Sequence, residues 1–368
     1  MGPLLIVGGA DKSYQTDIYN AFINNCRTNK NPDIAIIANA STNPAVAFSI
    51  IEPKLKNAGA GKVELVQTDS FQFLKEADGI WFTGGDQNLI MEDLIIDNNE
   101  SDLLKLIREK NNQGVIFGGP SAGAAIMSDP MIGGGSSLQS IYSLFENGLE
   151  NSEDFRKPGL GFLNHGIIDQ HFDARSRLGR LIHALMLSNQ KIGYGISENT
   201  ALLVKDNLFT VYGSGGVYVV DCSKAVLDDK RLKNIKISYI DTNDNYNLVT
   251  GSFSFHQKNK IGSNTVLSNS HPSVSGVLSP YSDLKDFICR QLLDNDIKLL
   301  PFDNEKKTPY ITSYLFDNNR YPGRKSFPGF ELRFYKLESV SEGFVDDQGH
   351  FAFKNIEFEI LKKEITIE

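Results

Sequence analysis

The stretch Val115-Ile116-Phe117-Gly118-Gly119-Pro120-Ser121-Ala122-Gly123-Ala124-Ala125-Ile126-Met127 constrains this chain more than any other. An apolar strand runs into Gly119-x-Ser121-x-Gly123, and a run of small residues suited to a helix follows. That is the arrangement of a nucleophile elbow. The serine sits on a tight strand-to-helix turn, and glycines two positions to either side leave room for its backbone. The helix N-terminus then lies under the hydroxyl, where N–H groups and the helix dipole stabilise an oxyanion. The competing reading is an N-cap serine in a glycine-rich turn. A strand before and a helix after favour the nucleophile.

The flanking pattern sets the fold class. Short apolar runs at 4–7, 34–38, 63–66, 80–82 and 115–117 alternate with helically spaced segments. In residues 102–108, for example, Leu103, Leu106 and Ile107 share one face. Strands alternating with helices predict an α/β fold: a three-layer αβα domain with a mostly parallel sheet covered on both faces. The character changes after about residue 205. Residues 207–213 and 216–221 read as paired strands around a glycine turn. Residues 257–280, rich in Ser, Asn, Gly and Pro, read as a linker or long loop. Beyond them a helix is expected over 282–293, with strands over 331–335 and 351–361. The predicted organisation is a catalytic domain over 1–256, the linker, and a strand-rich C-terminal α+β extension over 281–368. The extension is expected to pack on the catalytic domain or to contribute to a homodimer interface. No internal repeat is visible.

Composition narrows the classes further. A chain of 368 residues with 40% apolar and 22% charged residues can bury a sizeable core. A net charge of −8 without a basic block argues against nucleic acid as partner. Cys26, Cys222 and Cys289 are scattered with no CxxC, which fits a reducing cytoplasm. The apolar run at 3–7 has no basic segment before it and reads as a first strand rather than a signal peptide. No stretch approaches the ~18 apolar residues of a membrane helix, so a soluble protein without a membrane partner is expected. No His/Cys cluster has ligand spacing, so neither a metal nor an organic cofactor is expected.

A serine nucleophile needs a base. His256, His271 and His350 lie in polar stretches without an evident partner, and His183 falls inside a helical run where it packs. His165 sits in a loop before the strand at 166–168. His171 stands where that strand ends, among Asp169, Gln170, Asp173, Arg175, Arg177 and Arg180. Such polar company suits a base better than a core. The orienting carboxylate should follow another strand end, and Glu198 in Gly195-Ile196-Ser197-Glu198-Asn199-Thr200-Ala201 does. Ile80-Trp81-Phe82-Thr83-Gly84-Gly85-Asp86-Gln87 is a further strand breaking into glycines. In a parallel sheet its loop lies beside the elbow, at the ligand-binding edge. An N–H of Gly84 or Gly85 with that of Ala122 would then form an oxyanion hole, and Gln87 would hold a substrate carbonyl or amide.

In this order, Gly8-Gly9-Ala10, Thr83-Gly84-Gly85-Asp86-Gln87, Gly119-Pro120-Ser121-Ala122-Gly123-Ala124, Asp169-Gln170-His171-Phe172 with Arg175 and Arg180, and Gly195 to Ala201 resemble the cyanophycinases. These are the polymer-degrading branch of a serine peptidase family that also holds aspartyl dipeptidases. The resemblance covers roughly residues 3–250. It implies a fold related to class I glutamine amidotransferases and a Ser-His-Glu triad at Ser121, His171 and Glu198. It also implies roles for Gln87, Gln170 and Arg175, and an exopeptidase that releases β-Asp-Arg dipeptides from cyanophycin. Each unit of that polymer ends in a guanidinium and a carboxylate. Arg175 and Arg180 are expected to reach the carboxylate, and Asp169 or Asp173 the guanidinium.

Two departures stand out. Pro120 occupies a position where these enzymes usually have threonine, and the segment 133–157, expected to shape the groove, is longer and less familiar. An aspartyl-type dipeptidase and a catalytically silent binder on the same fold are the rival readings.

Overall fold

The computed structural model describes residues 1–10, 16–28, 30–67, 71–149, 156–261, 284–295 and 297–366. Most of the expected linker (262–280), His271 and residues 150–155 lie outside the described residues.

Five strands form the parallel part of a first sheet: β1 (Leu4–Val7), β2 (Ile34–Ile37), β3 (Val63–Val66), β4 (Gly79–Phe82) and β5 (Ile116–Pro120). Their order is β3-β2-β4-β5-β1, every neighbour parallel. β1, β2, β4 and β5 are buried at every residue, as a sheet covered on both faces requires. Helices α1 (Thr16–Asn24) and α2 (Pro44–Asn57) cover one face, packing Ile18, Phe22, Ile51 and Leu55 against Leu5, Ile36 and Trp81. Helices α3 (Gln87–Leu94) and α4 (Asp102–Asn112) cover the other, where Ile90, Leu94, Leu104 and Ile107 meet Ile6, Phe82 and Phe117. Their boundaries are chemical. Asn43, Asp86 and Ser101 cap α2, α3 and α4 with side-chain oxygens, and Pro44 opens α2. These are the three layers the sequence predicts.

Beyond the short helix α5 (Ala122–Ala125) and α6 (Ser137–Asn147), the chain builds a second sheet. Strand β6 (Ile167–Asp169), helix α7 (Leu178–Leu187) and strand β7 (Ile192–Ile196) form a parallel β-α-β unit. The chain then shuttles between sheets. β8 (Thr200–Lys205) and β9 (Leu208–Gly213) extend the first sheet antiparallel from β1, whereas β10 (Val217–Asp221) and β11 (Arg231–Ile240) extend the second from β7. Strands β12 (Asn245–Asn247) and β13 (Phe253–Ser254) finish the first sheet. The C-terminal strands β14 (Thr308–Leu315), β15 (Ser326–Tyr335) and β16 (Phe351–Thr366) continue the second, with β16 between β11 and β15. Helices α6 and α7 share its core with Phe330, Phe334 and Phe358.

One expectation is corrected. Residues 207–213 and 216–221 are not a hairpin pair, because β9 joins one sheet and β10 the other. Each finds an older partner first: β9 pairs with β8, and β10 with β7. The glycines between them serve a crossing. Ser197 N donates to Gly216 O, and Ser214 N donates to Asn199 O, so the crossings at 197–199 and 214–216 run side by side. A Cβ at Gly213 would fall 2.2 Å from Asn199 O.

His183 packs in α7 with no exposure, as the sequence reading has it, and burial pushes its imidazole down to about 4. The unfolded chain accepts a proton near 6.5 that the fold refuses until about 4. Its contribution is therefore intact above 6.5 and is lost as pH falls toward 4. His183→Leu is expected to lose less stability than the wild type between pH 6.5 and 4, read from denaturant midpoints at each pH. Equal losses in both proteins would remove His183 as a source of acid sensitivity.

Candidate active site

Ser121 stands between β5 and α5 at φ 53°, ψ −109°. A non-glycine residue held at positive φ costs about 1–3 kcal/mol and persists only where its surroundings over-determine it. Here they do. Ser121 N donates to Val7 O at 3.1 Å, while Ala124 N and Ala125 N donate back to Ser121 O. The glycines allow the approach: a Cβ at Gly119 or Gly123 would lie 2.7 Å from Phe82 O, and one at Gly118 would enter the Trp81 ring.

His171 Nε2 lies 3.1 Å from Ser121 Oγ, and His171 Nδ1 lies 2.6 Å from Glu198 Oε1. A carboxylate only accepts, so Nδ1 carries the proton and donates to Glu198, leaving Nε2 to accept from the serine hydroxyl. The imidazole is 9% exposed. Burial lowers its pKa below the ordinary 6.5, and the cations of Arg175 and Arg177 lower it further against the opposing pull of Glu198. The ring is accordingly neutral near pH 7, ready to take a proton.

The backbone of one turn ties these loops together. Val7 O accepts from Ser121 N, Gly8 O from His171 N at 2.7 Å, and Gly9 O from Asn199 N at 2.9 Å. His171 and Asn199 are themselves at positive φ, 49° and 54°. Gly9 is at φ 105°, and a Cβ there would fall 2.4 Å from two imidazole atoms. Sequence reasoning reads Gly8-Gly9 as the loop after the first strand and as a family marker, and gives it no part in the site. Its position directly after the first strand, at the ligand-binding edge, was the available signal.

The other expected residues divide by burial. Asp169 is 1% exposed and Arg180 4%. Arg180 holds the Asp169 carboxylate through Nε at 2.9 Å and Nη2 at 2.5 Å. Arg177, which sequence reasoning did not single out, donates at 2.6 Å to both Gln170 O and Gln170 Oε1. Burial draws its pKa down to about 10, and Arg180 and Arg175 draw the same way against Asp169. Asp169, Gln170, Arg177 and Arg180 thus form one buried cluster next to His171 in the chain, with Arg177 and Arg180 three residues apart at the start of α7. Arg175 is different, being exposed. Asp173 is half-buried and accepts from Ser197 Oγ at 2.7 Å. His165 is exposed and lines a cavity with Met1, Pro3 and Gly114, at the end of β1 away from Ser121.

Gln87 and Arg180 grip the start of the segment at 133–157 from two sides. Gln87 Nε2 donates to Ile132 O and Gly133 O at 3.2 and 3.1 Å, and Arg180 Nη1 donates to Gly135 O at 3.1 Å. Ser137, at the start of α6, accepts from Gly179 N at 2.9 Å and donates to Ser176 O, in the turn that follows His171. A Cβ at Gly84 would fall 3.5 Å from Ser121 Cβ, so the Gly84 backbone borders the serine. Gly85 presses instead on the turn at residue 40, where a Cβ would lie 2.1 Å from Ala40 O. Ala122 is the first residue of its helix, so its N–H has no intrahelical acceptor. Among the described residues, no group of three or more His, Cys, Asp or Glu is placed to hold a metal ion, and no helix is long and apolar enough to cross a membrane.

Gly9→Ala is expected to displace the imidazole and to reduce labelling of Ser121 by a serine-directed fluorophosphonate on the order of a hundredfold, with the circular dichroism spectrum retained. Labelling at the wild-type rate would show that the turn tolerates a methyl group.

Comparison with known proteins identifies the family. The model of peptidase family S51 matches residues 4–212. A cyanophycinase of Geminocystis herdmanii (strain PCC 6308) is 32% identical over 67% of this chain and 94% of that protein. One of Trichormus variabilis (strain ATCC 29413 / PCC 7937) is 34% identical over 59% of this chain and 73% of its own length. One of Synechococcus elongatus is 30% identical over 68% and 80%. With more than half of its length matched by the family and a relative covered almost end to end, the chain belongs to peptidase family S51 and is a serine-type peptidase.

Proposed function

We propose that this peptidase hydrolyses cyanophycin to β-Asp-Arg dipeptides with Ser121 as nucleophile, His171 as general base and then acid, and Glu198 as the group that orients the imidazole. The observation that carries the reading is the hydrogen-bonded chain from Glu198 through His171 to a strained elbow serine. Ser121 Oγ attacks the backbone carbonyl of an Asp unit while its proton passes to His171 Nε2. The oxyanion is received by Ala122 N–H together with an N–H of Gly84 or Gly85, of which Gly84 borders the serine. His171 then protonates the leaving amine. Water, deprotonated by His171, cleaves the acyl-enzyme and restores the serine.

The relatives named as cyanophycinases support the substrate. Arg175, exposed and close enough to act on the imidazole, is the proposed partner of the arginyl carboxylate. Asp173 is the better candidate for the guanidinium, since Asp169 is enclosed by Arg177 and Arg180. Gln87, Gln170 and Arg180 would then act by holding the groove. A homodimer and a cytoplasmic site of action remain part of the proposal.

Ser121→Ala and His171→Ala are expected to lower kcat on purified polymer by roughly 10⁴- to 10⁶-fold, and Glu198→Ala by about 10⁴-fold, with the fold intact. His165→Ala should retain most activity. Dipeptide products are read by mass spectrometry, and faster turnover of plain Asp-X dipeptides than of polymer would overturn the substrate assignment.

The pH profile gives a separate test. Because His171 is held below 6.5, kcat/KM should stay on its plateau through that pH and fall only below it. Arg175→Gln removes a cation that opposes protonation, so the acid limb should move upward. An unmoved limb would exclude the Arg175 charge as a cause.

A further inference from the structure

Helix α6 begins against the turn after His171 and runs away from it toward the C-terminal strands. Between α6 and the turn at 317–320 lies a cleft of about 450 Å³ lined by Gln139, Tyr142, Glu146, Asp317 and Arg320. Its floor is rigid: Tyr142 Oη donates to Pro328 O at 2.9 Å, and its ring packs edge-on against Phe330 at 4.9 Å. Over that ring sits a guanidinium. Arg320 lies 4.6 Å from the Tyr142 centroid and 2.9 Å from Glu146 Oε2. An aromatic face beside a carboxylate is the cradle a guanidinium prefers. The protein fills it with a side chain of its own.

The Arg320–Glu146 pair is exposed, 42% and 39%. Such a pair is worth only about 0–1 kcal/mol, so it is readily exchanged. A ligand bearing both a guanidinium and a carboxylate satisfies both partners at once: its guanidinium replaces Arg320 at Glu146, with Asp317 also on the cleft lining, and its carboxylate takes the released Arg320. Glu146 lies nine residues along the helix from Ser137, about 14 Å at 1.5 Å per residue. Ser137 contacts the turn that follows His171, so the cleft stands farther along the helix from that turn, and a polymer rather than a lone unit is the ligand that would span the two. The turn at 317–320 lies outside residues 4–212, where the family matches, so one wall of this cleft belongs to the C-terminal region.

We propose that this cleft is a second binding site, remote from Ser121, for the arginyl arms of the polymer. It rests on the cyanophycin reading above. The test is the ratio of kcat/KM on long polymer to kcat/KM on the two-unit fragment, measured for wild type, for the double variant Glu146→Gln with Asp317→Asn, and for Arg320→Gln at its solvent-exposed position. Loss of charge-assisted contacts is expected to lower the ratio at least ~5-fold in both variants. Ratios equal to wild type in both overturn the second site. A wild type that cleaves neither substrate, while Ser121 still reacts with fluorophosphonate, overturns instead the functional reading on which it rests.

Discussion

Three consecutive carbonyls, those of Val7, Gly8 and Gly9, accept the N–H groups of Ser121, His171 and Asn199. The proposed catalytic side chains all sit on loops tied to that turn. The residues concerned reach it from a strand of the first sheet, a strand of the second, and the crossing between the sheets. A carbonyl oxygen carries two lone pairs and a buried N–H must be paired, so each bond fixes the backbone of one arriving loop. With the backbones fixed, the side chains of Ser121, His171 and Glu198 need only ordinary reach to form their hydrogen-bonded chain. Ala10 and Gly9 continue the turn at positive φ, and Gly9 gives the space in which the imidazole stands.

The electrostatics follow from the same enclosure. His171 is drawn below its ordinary pKa chiefly by burial, with cations on one side and Glu198 on the other. Glu198 is part-exposed and accepts from His171 Nδ1. Asp169, by contrast, has no side-chain exposure and is matched by two guanidinium groups. A buried carboxylate of that kind is tolerable only when paired and fully hydrogen-bonded. The cluster's spare donors are spent on Gln170 and on the carbonyls at the start of α6. The buried ionic network thus also fixes the backbone at the start of the segment 133–157.

The C-terminal strands enter this logic through packing. β16 lies beside β11 over most of their common length, and Phe330 on β15 packs against Tyr142 and Phe145 of α6. Helix α6 in turn abuts the turn at 176–179 through Ser137. The last strands of the chain therefore reach the neighbourhood of His171 through one helix, and the sheet they complete is the one that carries β6 and β7.

What the sequence determined was local. The elbow is legible because its geometry is a matter of adjacent residues: glycines at 119 and 123, an apolar strand before, a small-residue helix after. His171 and Glu198 stood out because each ends a short apolar run among polar neighbours. Tertiary structure decided whatever depends on which strand pairs with which. Residues 207–213 and 216–221 look like a hairpin locally, yet strands placed earlier in the chain claim each of them. Arg177 and Arg180 read like Arg175 in sequence, and only the packing of α7 buries two of the three against Asp169. Gly84 and Gly85 were indistinguishable until the turn at residue 40 pressed on one of them. Side-chain type and short-range spacing are written in the chain, whereas strand partnership and burial are settled by competition among segments elsewhere in the chain, which the local pattern of any one segment does not encode.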